Sequence, residues 1–364
     1  MDGFHPAGGI RRLADAVPVH CMVSPGFPVA PPRLVGHDAM PADVLRLSDE
    51  RWRRGGFPAA EVRFYRLANV IVAAEGLVFD EAGNLFAETR KAHGDDAIGA
   101  AREAIAASGV TAPRLRHFSR AVLCKQSGAE NYGHWLTEML PKAFFARKEM
   151  GLRDYLHVIP NPQGQLADVI RESLEMAGID VALHLPLNDS PCFFHELIVI
   201  EGLTTHSAYM SPLVGECLNR IAADVPGRGI GRVYLRRWPA KARDFEDEDR
   251  IAECLARHGF EPVVTSALSF REQIAIIRDA SIVVGTMGAA MTNAVFCNPG
   301  AEICVFGPAS AREFFYWFLS NLRHQVYYEI RCPESGPALG PLPWDRKIEF
   351  SPRNMEDFLA RLWG

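Results

Sequence analysis

From Phe118 onward, the sequence alternates short apolar segments rich in β-branched residues with longer segments of helical periodicity. This alternation constrains the fold more than any other feature, because repeated strand–helix units form parallel sheets packed between helices. It is interrupted at residues 226–231 by Pro-Gly-Arg-Gly-Ile-Gly, which has the composition of a linker, and then it resumes. We therefore predict an α/β protein with two Rossmann-like domains facing a cleft, at residues 61–225 and 231–335.

The two ends of the chain are predicted to lie outside these domains. Residues 1–60 include prolines at positions 25, 28, 31 and 32, and prolines this close together prevent long helices and strand ladders. We expect an irregular, proline-rich N-terminal arm with at most short helices. Residues 353–363 are predicted to form a helix that crosses back over the N-terminal domain, with Phe358, Leu359 and Leu362 as its apolar stripe.

Composition excludes several classes of protein. The 364 residues include 39 Lys and Arg against 44 Asp and Glu, and the resulting net charge of −5 has the wrong sign for coating nucleic acid. The eight cysteines form no Cys-x-x-Cys pair, which argues against a structural zinc site. No apolar stretch has the length of a signal peptide or a transmembrane helix. These features favour a cytoplasmic location, either free or peripheral to the inner membrane.

The sharpest local motif is a predicted buried strand at 281–285 that runs through a turn of small residues into a predicted helix at 288–296. Such a turn directs backbone N–H groups and the positive helix end at whatever lies above the strand, and small side chains let a phosphate approach. A turn that needs glycine only for packing has the same sequence, so both interpretations stay open. The candidate donor-binding residues are Gly285, Thr286, Met287, Gly288, Ala289, Thr292 and Asn293.

A second motif, Asn-Tyr-Gly-His-Trp-Leu-Thr-Glu at 131–138, places His134 and Glu138 four residues apart on one face of a predicted helix. A carboxylate beside an imidazole can orient it and raise its basicity, which suits a general base. We predict that His134 is the base and that Glu138 orients it. Two alternatives stay open: an interior hydrogen bond that fixes the helix entrance, and a pair of metal ligands.

A third motif places Arg236 and Arg237 at the end of a predicted strand at 232–236. The carboxyl ends of strands in open α/β sheets face the ligand crevice, and two arginines there can neutralise a diphosphate. Arginines that are merely solvated are the alternative. We predict that a diphosphate lies between the turn at 285–290 and these arginines, with Arg236 favoured and the Met287 N–H among the donors.

In order and spacing, these motifs resemble those of glycosyltransferase family 61, whose members include enzymes of plant xylan and bacterial polysaccharide synthesis. The resemblance extends from about residue 69 to residue 308. It rests on residues 131–136 followed by Leu-Pro, on Val-Tyr-Leu-Arg-Arg at 233–237, on Leu-Ser-Phe-Arg-Glu-Gln at 268–273, and on the turn at 282–293 followed by Pro-Gly-Ala at 299–301.

The resemblance implies a GT-B-like fold and an inverting glycosyltransferase that uses a nucleotide-diphosphate sugar as its donor. It implies a glycan or lipid-linked glycan as acceptor, in the synthesis of a cell-surface polysaccharide such as a capsule. It also implies that no metal or cofactor is needed, because a helix N-terminus and basic side chains can stabilise the departing diphosphate.

The chain departs from the family's loop, Gly-x-His-Gly-Ala-Gly-Leu-Thr-Asn, at Met287, Ala290 and Met291, and it has Val305 where the family often has a glutamate. Replacing the histidine removes a donor to phosphate or sugar. These departures favour an alternative function, a non-catalytic relative that binds nucleotide or glycan within an assembly complex. A metal-dependent hydrolase using His134 and Glu138 is a third hypothesis.

Overall fold

The computed structural model describes residues 8–108, 115–237 and 242–363. Its strands are β1 (Ile10–Arg11), β2 (His20–Ser24), β3 (Phe27–Pro28), β4 (Arg33–Val35), β5 (Gly56–Phe57), β6 (Ala60–Ala73), β7 (Leu77–Asp80), β8 (Leu85–Phe86), β9 (Arg116–Leu123), β10 (Leu156–Ile159), β11 (His184–Pro186), β12 (Cys192–Glu201), β13 (Thr204–Thr205), β14 (Tyr209–Met210), β15 (Arg232–Leu235), β16 (Glu261–Val263), β17 (Ile282–Thr286), β18 (Glu302–Pro308), β19 (Val326–Cys332), β20 (Glu334–Ser335) and β21 (Lys347–Ile348).

The α-helices are α1 (Ala42–Trp52), α2 (Asp95–Ser108), α3 (Tyr132–His134), α4 (Leu140–Met150), α5 (Gln165–Met176), α6 (Pro212–Ala222), α7 (Glu248–Arg257), α8 (Phe270–Ile277), α9 (Phe315–Leu322) and α10 (Pro352–Trp363). A π-helical turn, Trp135–Met139, joins α3 to α4. Segments of 3₁₀ helix are Leu13–Asp15, His37–Ala39, Ala87–Thr89, Val181–Leu183, Thr265–Ala267 and Ala289–Phe296. None of the helices in the described ranges is long and apolar enough to cross a membrane.

The chain divides into two compact units whose boundaries differ from those of the predicted domains. The first unit combines the residues up to Ser24 with Ala60–Thr204, and the second combines Pro25–Ala59 with the residues from Thr205 onward. Residues 205–225, which the sequence predicts in the N-terminal domain, are therefore part of the second unit. There α6 begins after Ser211, whose side chain caps it as the Ser-Pro sequence predicts, and it buries an apolar face.

The glycine-rich stretch at 226–231 lies inside the second unit and does not separate the two units. The N–H of Arg228 donates to the carbonyl of Ala275 at 2.9 Å, and the N–H of Gly229 donates to the carboxylate of Asp279 at 2.8 Å. A Cβ on Gly227 would lie 2.0 Å from that carboxylate. Gly227 leaves room for the Asp279 carboxylate, and the stretch packs against its neighbours, so its linker-like composition does not mark a boundary.

The N-terminal arm is more regular than the sequence predicts. Strand β2 pairs antiparallel with β6 in the first unit, and β4 pairs parallel with β19 in the second. Helix α1 then has 11 residues, which is longer than the short helices that we expected. The prolines do not prevent this structure, because Pro31 and Pro32 precede β4 and Pro41 directly precedes α1.

The first unit is built on a mixed sheet in the order β1-β8-β7-β6-β12-β9-β10-β11, with β2 also paired to β6. Strands β12, β9, β10 and β11 are parallel, as the strand–helix alternation predicts. Strands β6, β7 and β8 are antiparallel, because the connections between them are too short for a crossover. At the β6–β7 turn, Gly76 has φ +86°, and a Cβ there would lie 2.2 Å from the carbonyl oxygen of Lys125. The Rossmann-like prediction therefore holds for only part of this sheet.

The second unit is built on a parallel sheet in the order β16-β15-β17-β18-β19-β4. One face of this sheet contributes Tyr234, Val284 and Phe306 to a core that α7 and α10 complete. Helix α10 buries its apolar face, including Phe358 and Leu359, in this core. The predicted crossing over the N-terminal domain is therefore corrected: the apolar stripe of α10 packs within the second unit, beside α7.

Candidate functional site

The strand order of the second unit defines a ligand crevice. Apart from β4 at the edge, the chain starts the sheet at β15, adds β16 on one side, and continues on the other side with β17, β18 and β19. In this doubly wound order, ligands bind outside the carboxyl ends of the strands, at the point where the order reverses. That point lies between β15 and β17, where Leu235 is paired with Gly285. The residues that follow these two are the predicted arginines and the predicted glycine turn.

Arg237 is the arginine that reaches the turn. Its Nη1 donates to the carbonyl of Ala242 at 2.8 Å, to the carboxylate of Asp244 at 3.0 Å and to the carbonyl of Met287 at 3.4 Å. All three bonds use the same nitrogen, and among the described residues Nε and Nη2 have no hydrogen-bond partner. The side chain is 18% exposed. Two donors of one guanidinium are thus available to a ligand, the arrangement with which arginine binds two phosphate oxygens.

Arg236 lies on the opposite side, toward α7. Its Nε is 3.3 Å from the carboxylate of Glu248, and its Nη2 donates to Asp249. Neighbouring residues at a strand end point to opposite faces, so only one of the two arginines can face the turn. Arg237 rather than Arg236 therefore lies beside the turn, and the donor-binding prediction now rests on Arg237.

The carboxylate beside Arg236 has an unusual proton affinity. The hydroxyl of Tyr234 donates to Glu248 at 2.5 Å, and both side chains are buried. Burial raises the pKa of Glu248 to about 7; Asp244 also raises it, while Tyr234 and Arg236 act in the opposite direction. The charge that holds Arg236 against α7 therefore changes near neutral pH.

The glycine turn has the compact backbone that the sequence predicts, but its hydrogen bonds differ. A Cβ on Gly288 would lie 3.0 Å from the guanidinium of Arg237, so the absent side chain leaves room for that group. The N–H of Met287 donates to the carbonyl of Phe306 at 2.7 Å, which corrects the expectation that this N–H serves a ligand. Ala289 begins a 3₁₀ helix that extends to Phe296, and its side chain is partly exposed.

The remaining predicted donor-binding residues are buried beneath this surface. Thr286 donates from its hydroxyl to Asp244 at 2.7 Å, so Asp244 joins the turn to Arg237. Asn293 donates to the side chain of Gln273 and to the carbonyl of Ala290, both at 3.1 Å. Thr292 is also fully buried. These side chains support the turn from inside and are not exposed to a ligand.

The predicted base and its partner come together in the first unit. Asn131 caps the helix start by accepting from the backbone N–H groups of Gly133 and His134. His134 Nδ1 lies 3.2 Å from a carboxylate oxygen of Glu138, and the two side chains are 22% and 4% exposed. A Cβ on Gly128 would lie 2.9 Å from the imidazole, so glycine at this position makes room for the ring. The i, i+4 spacing thus forms the predicted pair, even though a π-helical turn separates the two residues.

Two further residues extend this pair into the protein. Gln126 donates from its side-chain amide to the other carboxylate oxygen of Glu138 at 2.6 Å. Lys142 donates to the amide oxygen of Gln126 at 2.5 Å. All three side chains are buried. The pKa of Lys142 is lowered to about 8, mainly by burial and also by the positive charge of Lys91, while Glu201, Cys124 and Glu138 act in the opposite direction.

The sequence did not lead us to Asp244, Gln126 or Lys142. Asp244 lies in a highly charged stretch at 243–250, which is typical of a solvated surface, and only its burial distinguishes it. Lys142 did carry a signal, because it is the only charged residue in the apolar segment at 139–146. A buried lysine is rare unless it is paired, so this position indicated a hidden partner.

The second unit has a parallel, doubly wound sheet, with a glycine turn and an accessible arginine where the strand order reverses. This arrangement is typical of α/β domains that bind phosphate-bearing ligands. A comparison with known protein families agrees with this class. Residues 132–304 match the family described as Glycosyltransferase 61, and the match includes His134, Glu138, both arginines and the glycine turn. This region, a little under half of the chain, is therefore similar to glycosyltransferase family 61, and the similarity indicates glycosyltransferase activity. No curated protein matches the chain.

Proposed function

We propose that the protein is an inverting glycosyltransferase that transfers a sugar from a nucleotide-diphosphate sugar to a glycan or lipid-linked glycan acceptor. The observation that carries this proposal is the arrangement of the Arg237 guanidinium, which lies where the strand order of the second unit reverses. Its Nη1 is held by the carboxylate of Asp244 and two carbonyls, while Nε and Nη2 have no partner among the described residues. A planar pair of donors held in this way suits the two oxygens of a diphosphate.

Arg237 would act mainly on the leaving group. In an inverting transfer, the acceptor oxygen attacks the anomeric carbon as the bond from that carbon to the diphosphate oxygen breaks. The bonding electrons move to the diphosphate, so negative charge develops beside the glycine turn. Arg237 and the first N–H groups of the 3₁₀ helix at Ala289 can stabilise this charge without reorganising. We expect that transfer needs no metal ion and that it persists in the presence of a chelator.

His134 would take the proton from the acceptor hydroxyl. Its Nδ1 faces Glu138 at 3.2 Å, so Nε2 is the nitrogen that would accept the proton. The carboxylate orients the ring and stabilises the imidazolium that forms. Substituting His134→Ala should lower turnover by roughly 10²-fold or more while nucleotide binding stays close to that of the parent. If the variant keeps full turnover, His134 is not the base.

The donor site is tested by calorimetry of UDP and GDP binding to the parent, Arg237→Ala and Arg236→Ala. The two arginines are adjacent in sequence, so Arg236→Ala is a matched control for the loss of one positive charge. Arg237→Ala should lose about 1.5–3 kcal/mol of binding free energy, the range for hydrogen bonds to charged groups, which is about 10- to 150-fold in Kd. Arg236→Ala should lose less, because its donors are engaged by Glu248 and Asp249. Unchanged affinity in Arg237→Ala would place the diphosphate elsewhere.

A second candidate function is non-catalytic binding of nucleotide or glycan within an assembly complex. Met287, which replaces the family histidine, favours it, because this side chain is buried and its N–H is bonded to Phe306. Incubation with sugar nucleotides and glycan acceptors distinguishes the two functions. Acceptor-stimulated release of nucleoside diphosphate supports the transferase, whereas binding without release at any acceptor concentration supports the non-catalytic function.

A further inference from the structure

A continuous line of buried polar side chains leads from His134 into the first unit. His134 Nδ1 is 3.2 Å from one oxygen of Glu138, the second oxygen accepts from Gln126 at 2.6 Å, and the oxygen of Gln126 accepts from Lys142 at 2.5 Å. Glu138, Gln126 and Lys142 are each at most 6% exposed. A buried polar group is costly unless it is bonded, so each member depends on its neighbours.

The charges at the two ends determine how the amide of Gln126 is oriented. An ionised carboxylate only accepts hydrogen bonds and an ammonium only donates them. The amide nitrogen must therefore face Glu138, and the amide oxygen must face Lys142. The opposite orientation would place two acceptors together at one end and two donors at the other. Gln126 thus couples the ammonium to the carboxylate through a single arrangement of hydrogen bonds.

Lys142 is the charged end of this line, and other groups surround it. The ion pair of Lys91 with Glu201, at 2.7 Å, lies near enough to influence it, as does the thiol of Cys124 after β9. The negative charges of Glu201 and Glu138 favour the charged form of Lys142, whereas burial and the positive charge of Lys91 disfavour it. A lysine in this setting is retained at a cost, and the only side-chain acceptor that it contacts within the described residues is Gln126.

We propose that Lys142, acting through Gln126, is a positioning residue that sets the orientation and the proton affinity of the His134–Glu138 pair. This inference rests on the proposed function for its catalytic meaning. Gln126, held by Lys142, donates to the second oxygen of Glu138 and leaves the first for His134. The positive charge of Lys142 also disfavours a further positive charge on the pair.

The test uses the full chain with Lys142→Met, which removes the charge and keeps most of the side-chain volume. Lys148→Met is the matched control, because Lys148 is an exposed lysine on the same helix, α4. The readout is an NMR titration of the His134 ring, with its signal identified by its absence in His134→Gln. The pair should gain its proton at a pH higher by about half a unit or more in Lys142→Met, since a nearby positive charge is lost. Lys148→Met should titrate as the parent does. Equal titration in the two lysine variants would overturn the proposal.

Gln126→Leu provides a second variant in case Lys142→Met does not fold. It breaks the hydrogen-bonded line but keeps the ammonium, so turnover should fall about tenfold at unchanged donor KM, because the base loses its orientation. Gln126→Glu should not restore the turnover, since it keeps an acceptor for Lys142 but places a second carboxylate against Glu138, where a donor is needed. Turnover of Gln126→Leu equal to that of the parent would contradict the positioning role. If the parent itself transfers no sugar, the proposed function fails, whereas the NMR titration still decides whether Lys142 acts on the pair.

Discussion

Acid should destabilise the first unit through His157, and the size of the effect follows from the environment of this side chain. His157 lies on β10 directly opposite His184 on β11, and it is 1% exposed. Its pKa is lowered from 6.5 to about 4, mainly by burial and to a lesser extent by the charges of His184 and Arg147. The folded protein therefore holds this imidazole neutral, while the unfolded chain takes up a proton below about pH 6.5.

The sign and the magnitude follow from proton linkage. Between about pH 6.5 and pH 4 the unfolded state binds more protons than the folded state at this position, so stability falls as the pH falls. The difference between a pKa of 6.5 in the unfolded chain and about 4 in the folded protein corresponds to about 3 kcal/mol of stability, all of which is lost below the folded pKa. Above about pH 7 the group contributes no pH dependence, because it is neutral in both states.

His157→Phe removes the titrating group and keeps an aromatic ring in the cavity. The free energy of unfolding of the parent and the variant is measured in urea at pH 8, 6, 5 and 4.5, with pulsed hydrogen exchange following peptides from residues 60–204. The variant should gain stability relative to the parent by about 2–3 kcal/mol as the pH falls across this range. His195→Phe is the control, because His195 is exposed on β12 of the same unit. A stability difference between His157→Phe and the parent that does not change with pH would refute the reasoning.

Three further predictions concern the second unit. Gly288→Ala brings a Cβ to 3.0 Å from the guanidinium of Arg237. Calorimetry should therefore show roughly tenfold weaker binding of a nucleoside diphosphate. Gly231→Ala is the control and should bind as the parent does, because a Cβ there meets nothing within 4 Å. Glu248→Gln should become more stable relative to the parent as the pH rises from about 5 to about 8. Burial raises the pKa of Glu248 to about 7, so the parent must ionise a buried carboxyl over this range. A stability difference in urea unfolding that does not change with pH would contradict this. Ser269→Ala removes a capping box at the start of α8 and should cost about 1 kcal/mol in thermal unfolding, whereas exposed Ser266→Ala should cost nothing measurable.

Local sequence determined much of the secondary structure and the composition of the candidate site. The strand–helix alternation correctly predicted β9, β10 and the parallel strands β15 to β18, because apolar periodicity reflects which faces are buried. The capping residues Ser211 and Ser269 are where the sequence predicts them, because a cap is formed within four residues of chain. The His134–Glu138 pair likewise needs only one helical turn.

The tertiary structure decided what depends on residues far apart in the chain. Arg237 rather than Arg236 faces the glycine turn because of the direction in which the chain leaves β15, and this is set where Leu235 pairs with Gly285 on β17. The N–H of Met287 is bonded because β18 lies beside it. Asp244, Gln126 and Lys142 have ordinary sequence surroundings and acquire their roles only from burial and distant partners. A hydrogen bond across many residues leaves little trace in local propensity, since either side chain alone would be stable in water.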